Sequence, residues 1–326
     1  MRVDLRVPVG LPVPDTVEFI RRCEDAGFHG VGVHDHPHAG REVYVTLALA
    51  ASRTSHLVLY SATSNPVIRH PMVMAALANS LGELAPGRVA VSLAPGYLAV
   101  RSVGRGRASV EDVRQAVLAI RGLLAGESVS MGAGEARMRN AVSPPTPVYV
   151  LAAGPRMVEL AGEVGDGALV MAGVHPRAVA AARERLAAGA ARAGRDLDAF
   201  PVIWVVPLGL ADDLETARRW PRVELAGGLS WITYPSSSNL HWLRQAGLEI
   251  PDKPRARDIS EELAARICDA FGLFGTAEQC LEQLQGMREQ AGIEHVWLTA
   301  NHTTDQSYEM PTRELEAFGK VVLPRL

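Results

Sequence analysis

The strongest constraint on this chain is a rhythm. Eight short runs rich in valine and other strand formers recur along it: Val3–Val9, Gly30–His34, Leu57–Ser61, Val89–Leu93, Val148–Ala152, Gly167–Met171, Pro201–Val206 and Glu294–Thr299. Between them lie stretches with helical spacing of apolar residues. Asp15-Thr16-Val17-Glu18 reads as a capping box, and Gly27 as the stop of the helix it opens. Pro71–Leu84 begins on a proline and ends before Pro86-Gly87. Ser109–Leu124, Pro155–Val164, Pro176–Ala193, Ile259–Phe271 and Thr276–Ala291 read as helices too. Strands alternating with helices imply βαβ units and a parallel sheet, and eight such units imply a closed (β/α)8 TIM barrel. The expected organisation is one domain over 1–326. One segment, Arg222 to Asp258, is rich in Gly, Ser and Pro and too long for a simple connection. It is expected as an insertion between strands seven and eight, where long loops serve as lids or binding loops.

Charge and composition remove several functions. Lys+Arg is 33 against Asp+Glu 36, a net charge of -3 with no basic run, so neither nucleic acid nor a membrane surface finds an electrostatic footprint. Cys23, Cys268 and Cys280 are too few and too scattered for a disulfide framework or a zinc cluster, which points to reduced thiols and a cytoplasmic setting. Arg2, Asp4 and Arg6 interrupt the first apolar stretch, so no secretory core is expected there. Gly104-Arg105-Gly106 lacks the third glycine of a dinucleotide fingerprint.

A barrel builds its active site at the C-terminal ends of its strands. Those ends read His34-Asp35-His36-Pro37-His38, Ala62-Thr63-Ser64-Asn65-Pro66, Ala94-Pro95-Gly96-Tyr97, Ala153-Gly154-Pro155-Arg156-Met157 and Asn301-His302. In the fourth of these, Gly154 permits a tight turn and Pro155 opens a helix whose free N–H groups suit a phosphate, with Arg156 adding a cation. The alternative is a plain barrel turn. His34 and His36 invite a metal reading, and with it a metal-dependent hydrolase. Pro37 interrupts their strand, and the further ligands on offer, His175, His302 and Asp305, form no recognisable pattern. The competing reading makes His34 and His38 solvated loop residues. Asp35 beside His36 is a carboxylate placed to orient an imidazole or tune its pKa. The small residues of 62–66 either admit a flat ligand or close the strand with a bulge.

Together these turns resemble the bacterial-luciferase-like superfamily of flavin and deazaflavin oxidoreductases, over essentially the whole chain. The residues that carry the resemblance are Cys23-Glu24-Asp25-Ala26-Gly27-Phe28, then Ser64-Asn65-Pro66-Val67-Ile68-Arg69-His70-Pro71 running on to Gly87-Arg88-Val89. Leu151 through Gly167, Phe274-Gly275-Thr276 and Val322-Leu323-Pro324 complete it. The branch it resembles includes methylenetetrahydromethanopterin reductases and uses coenzyme F420, a hydride carrier. The resemblance implies a non-prolyl cis peptide at Ala62–Thr63 braced against the ring. It implies cofactor contacts from Asp35, Ser64, Asn65 and Gly96, and a phosphate held by Ala153, Gly154, Arg156 and Met157. It also implies a homodimer.

Two departures bear on the substrate. The sugar-phosphate dehydrogenases of the branch carry a glutamate after the fourth-strand glycine, where this chain has Tyr97, and no basic grip follows Met171. Arg101, Arg105 and Arg107 read as solvated, with an anionic cofactor tail as the other reading. The expected function is therefore hydride transfer between F420 and a small organic molecule, with His36 as proton donor or acceptor and Asp35 as its orienter. Trp231, Tyr234 and Trp242 are expected to shape the substrate cavity, or else to pack the insertion. An FMN-dependent monooxygenase on the same scaffold is the main alternative.

Overall fold

A computed structural model describes residues 1–225, 227–300 and 308–326. The strands are β1 (Arg2–Val7), β2 (Gly30–Val33), β3 (Val58–Ser61), β4 (Val89–Leu93), β5 (Val129–Ser130), β6 (Glu135–Ala136), β7 (Val148–Ala152), β8 (Gly167–Val170), β9 (Val202–Leu210), β10 (Leu273–Gly275) and β11 (His295–Ala300). β5 and β6 form a small antiparallel pair, and the other nine make one parallel sheet. Its order runs β9-β11-β1-β2-β3-β4-β7-β8, and β8 pairs back to β9, so eight strands close a barrel. They are the eight strands expected from the sequence. β10 was not expected; it extends the sheet beside Leu208–Leu210 of β9, so β9 continues through Pro207 instead of stopping before it.

Two apolar layers hold the barrel. A large cluster packs the outer faces of the strands against the helices, while a smaller one, including Tyr60, Ala90, Leu169, Val205 and Trp297, fills the interior. Glycines in β2 make room for the large rings. A Cβ on Gly32 would lie 2.7 Å from Tyr60 Cε2 and 2.9 Å from Trp297 Cε2. Outside, helices Pro155–Val164 and Pro176–Arg192 cross at near backbone contact. A Cβ on Gly162 would sit 2.1 Å from the Leu186 carbonyl oxygen, and one on Gly189 would sit 1.8 Å from that of Glu159.

The helices at Pro71–Leu84, Pro155–Val164 and Ala277–Ala291 lie where their signals put them, the last behind a Thr276/Gln279 capping box. The first helix is a correction. It spans Val13–Asp25 behind Pro12 with no side-chain cap, and Glu18 pairs with Arg21 instead of closing a box with Asp15. The start is set by Pro14 within the first turn, which needs no N–H there. Val43–Ala51, apolar all round, and Ser238–Gln245 are further helices that sequence periodicity did not reveal.

At the N-terminal end of the barrel a buried carboxylate ties three strands together. Asp4 of β1 accepts a hydrogen bond from Tyr60 Oη of β3 at 2.9 Å. It also meets His295 Nε2 at 2.9 Å and His29 Nδ1 at 3.1 Å. No helix among the described residues is long and apolar enough to cross a membrane.

Candidate active site

The strand-end turns converge on a cavity of about 590 Å³ at the C-terminal mouth, within the range of small-molecule sites. Asp35, His36, Ala62, Thr63, Asn65, Gly96, Ala153, Gly154, Arg156, Met157, Trp231 and Tyr234 all line it. Ser64 and Trp242 do not. Ser64 is fully buried behind the wall, and Trp242 packs beneath the insertion with its indole N–H donating to the Ala153 carbonyl at 2.7 Å. Trp242 thus supports the turn at 153–157 and leaves the cavity to Trp231 and Tyr234.

One wall is the segment after β3. The Ala62–Thr63 peptide is cis. Ser64 N–H donates to Ser92 O at 2.9 Å and Ala94 N–H to Ser64 O at 2.9 Å, which pins the segment to β4. Asn65 Oδ1 accepts from the N–H groups of Val67 (3.2 Å) and Ile68 (3.1 Å), so its Nδ2 is the group left over. That Nδ2 is buried and has no partner among the described residues. Gly96, at φ +84°, keeps the space beside it open, since a Cβ there would lie 3.3 Å from Asn65 Cγ and 2.5 Å from Val100 Cγ1.

Behind this wall runs an ionic chain. Arg69 holds Asp35 in a bidentate pair, Nε to Oδ2 at 2.8 Å and a terminal nitrogen to Oδ1 at 2.8 Å, and it also pairs with Glu42. Ser64 Oγ donates to Asp35 at 2.6 Å and shares a 2.9 Å hydrogen bond with Tyr44 Oη. Burial pushes the Tyr44 phenol up to about 12. Burial opposes the charge on Arg69, but its hydrogen bonds and attraction to Asp35 and Glu42 outweigh that and hold it protonated. Asp35 is therefore committed to Arg69 and Ser64, and it does not orient His36 as expected. Arg69 belongs to the Ser64–Pro71 stretch, and its pairing leaves no local signal because Asp35 is 34 residues away.

His36 instead meets Tyr308, with Nδ1 3.2 Å from the phenol oxygen. Burial first, and the neighbouring His38 second, pull its pKa down to about 4, so the ring is neutral at neutral pH. His34 lies beside it, ring centroids 4.7 Å apart. His175 is spent on capping its own helix through Arg177 N–H, while Asn301, His302 and Asp305 lie outside the described residues. The one His/acid group among the described residues with metal-ligand spacing is Asp4, His29 and His295, at the opposite end of the barrel from the cavity.

The opposite wall is the turn before helix Pro155–Val164. Among the described residues no side chain caps that helix, and its N-cap is Gly154. A Cβ on Gly154 would lie 2.8 Å from Ser238 Oγ, so the glycine lets the insertion bring Ser238 against the helix end, with Ser236 Oγ 3.0 Å further on. Both serines belong to the insertion and line the cavity. The roof is aromatic. Trp231 stacks on Tyr234 at 4.5 Å, and Tyr97 meets Tyr234 edge-on at 5.6 Å. Arg107 is exposed, as expected, and it lies over the Tyr97 ring at 4.4 Å and donates to Pro235 O at 3.1 Å at the rim. Arg101 and Arg105 are exposed. Arg6, at the end of β1, lines the mouth as a cation whose pKa burial lowers to about 10.

The family model described as luciferase-like monooxygenase matches residues 2–295. A 5,10-methylenetetrahydromethanopterin reductase of Methanolobus tindarius is 36% identical over 192 residues, covering 57% of this chain and 58% of that protein. An F420-dependent glucose-6-phosphate dehydrogenase of Beutenbergia cavernae is 30% identical over 237 residues, 65% of this chain and 70% of that one. The solved structure of coenzyme F420 dependent tetrahydromethanopterin reductase from Methanopyrus kandleri superposes with a TM-score of 0.72 at 19% identity, covering 99% of this chain and 98% of the other. That last likeness is one of fold.

Proposed function

The chain belongs to the luciferase-like monooxygenase family, and from that premise we propose that it transfers a hydride between coenzyme F420 and an organic substrate held in the barrel mouth. The curated relatives support an oxidoreductase, and a relative named as F420-dependent supports this cofactor over FMN. The observation that carries the reading is the buried Nδ2 of Asn65, a cavity-lining residue whose Oδ1 is taken by the Val67 and Ile68 N–H groups and whose Nδ2 has no partner among the described residues. A buried amide donor costs about 1–3 kcal/mol if left unpaired, so the site is built for a ligand acceptor there.

The remaining residues fit the same group. The uncapped helix end at Gly154, with Arg156 and the hydroxyls of Ser236 and Ser238, suits the cofactor phosphate. The cis step at Ala62–Thr63 lies beside Asn65 on the wall that would back the ring. When bound, the cofactor would supply the hydride donor or acceptor. The chain's own part is to orient and to exclude water: Trp231, Tyr234 and Tyr97 roof the cavity, and neutral His36 offers a base at its wall. Tyr97 in place of a glutamate argues against a sugar-phosphate substrate.

Fluorescence titration of the purified protein with F420, in parallel with FMN, tests the reading. Saturable F420 binding is expected, weakened about tenfold in Asn65→Ala for the loss of one hydrogen bond. Saturable FMN binding with none for F420 would move the chain to the monooxygenase reading. Three buried, unpaired thiols agree with a cytoplasmic setting. The same reading includes a homodimer across adjacent helices Val43–Ala51 and Pro71–Leu84, which leave Val45 57% and Val73 51% exposed. Light scattering at micromolar concentration should give twice the chain mass, and a monomer there would remove that part.

A further inference from the structure

Beside the cavity, His36 is joined to Tyr308 and His38, two groups that the hydride-transfer reading has not used. Tyr308 Oη lies 3.2 Å from His36 Nδ1 and 2.6 Å from His38 Nε2. His36 lines the cavity, and His38 is exposed. The phenol thus bridges a half-buried imidazole to an exposed one.

The placement is built. A Cβ on Gly10 would sit 1.7 Å from the Tyr308 carbonyl oxygen, so only glycine lets the chain at 308 seat against the end of β1. The rings of His36 and His38 run nearly parallel, 28° apart with centroids 5.3 Å apart, and Tyr308 stands edge-on to both.

The contacts admit either tautomer of each ring, and the two distances favour one pairing. A phenol has one proton to give. The 2.6 Å contact has the length of a donated O–H bond, and 3.2 Å is the long end of an N–H···O bond. In the favoured pairing Tyr308 donates to His38 Nε2 and accepts from His36 Nδ1–H. In that pairing Nε2 is the unprotonated ring nitrogen of His36, a residue that lines the cavity.

We infer that Tyr308 and His38 form a proton relay that holds His36 as an Nδ1–H base and connects it to solvent. When a cavity hydroxyl gives its proton to His36 Nε2, the Nδ1 proton passes to Tyr308 Oη as the phenolic proton passes to His38 Nε2. The resulting imidazolium of His38 loses its proton to water. Protons balance at each atom, and the reverse sequence delivers a proton to a carbonyl oxygen under reduction. Burial pushes the Tyr308 phenol up, so it hands protons on without resting as phenolate. Burial and the charges of His38 and Arg6, against Asp35, keep His36 neutral between transfers. Tyr308 and His38 act through His36 and are relay residues, not catalytic ones.

The catalytic purpose rests on the proposed hydride transfer, but the wiring does not, and its test needs neither cofactor nor substrate. Full-length protein labelled with 15N-histidine is observed by long-range 1H–15N correlation, the His36 ring being assigned with His36→Gln. The ring should be in the Nδ1–H form in the wild type and move toward Nε2–H in Tyr308→Phe. Exchange of its N–H proton with water should slow in His38→Ala and in Tyr308→Phe, by about 100-fold in the latter, the low end of what a positioned acid–base group contributes. An Nε2–H ring in the wild type, or exchange unchanged in both variants, overturns the relay. Should Tyr308→Phe fail to fold, exposed His38 still carries the exchange measurement: slowed exchange in His38→Ala supports the relay and unchanged exchange overturns it. Failure of the cofactor reading would appear separately, as absent F420 binding with the wiring intact.

Discussion

Asp35→Ala should lose about 3–5 kcal/mol of unfolding free energy in urea titration, as expected when one partner of a buried ion pair is removed. The carboxylate is 1% exposed and takes three hydrogen bonds, two from Arg69 and one from Ser64. Without it the Arg69 guanidinium keeps Glu42 and the Tyr44 ring, and Ser64 keeps Tyr44 but loses its charged acceptor directly behind the cavity wall. F420 affinity should fall with it, by more than the Asn65→Ala loss, because both Ser64 and Asn65 are loosened. The double variant Asp35→Leu/Arg69→Met should be less destabilised than Asp35→Ala, since no charge is then buried alone. A single variant as stable as the wild type would mean that Arg69 and Asp35 are not coupled.

Asp4→Ala should cost a similar amount, about 3–5 kcal/mol, with no direct effect on the cavity at the other end of the barrel. It strands the Tyr60 hydroxyl and His295 Nε2 in a dry interior. The pH dependence carries a sign. Burial raises the Asp4 pKa, but the hydrogen bonds and charges of His29 and His295 outweigh it, so the folded value lies below the ordinary one. A group with a lowered folded pKa stabilises the fold above its unfolded value, about 3.9, and that stability is lost as pH falls through the folded value. Wild-type stability should thus decline in acid below about pH 4, and Asp4→Asn, which keeps the shape without the charge, should flatten that decline. Identical acid limbs in urea midpoints measured from pH 3 to pH 7 would sink the assignment.

Much of the site was legible because its parts are local. A strand end, a glycine turn and a helix start lie within a few residues, so 62–65, Gly96 and 153–157 could be placed at one rim before any coordinates. The misses have the opposite character. Trp242 looked like a cavity aromatic because aromatics in a long insertion suggest a binding lid. The helix at Ser238–Gln245 turns it under the Ala153 carbonyl and puts Ser238 at the rim instead. Asp35 and His36 looked coupled because they are adjacent, yet neighbours at a strand end point to different sides, one toward Arg69 and the other toward Tyr308.

The amino-acid order alone determined the eight-unit barrel, its strands, most of its helices and which rim bears the chemistry. Periodicity, caps and glycine turns act over a few residues and need no partner. Tertiary structure alone decided who pairs with whom: Asp35 with Arg69 across 34 positions, His36 with Tyr308 across 272, and Asp4 with His295 across 291. Closing the barrel brings its first strand beside its last, and a contact created by closure leaves no spacing in the sequence from which to read it.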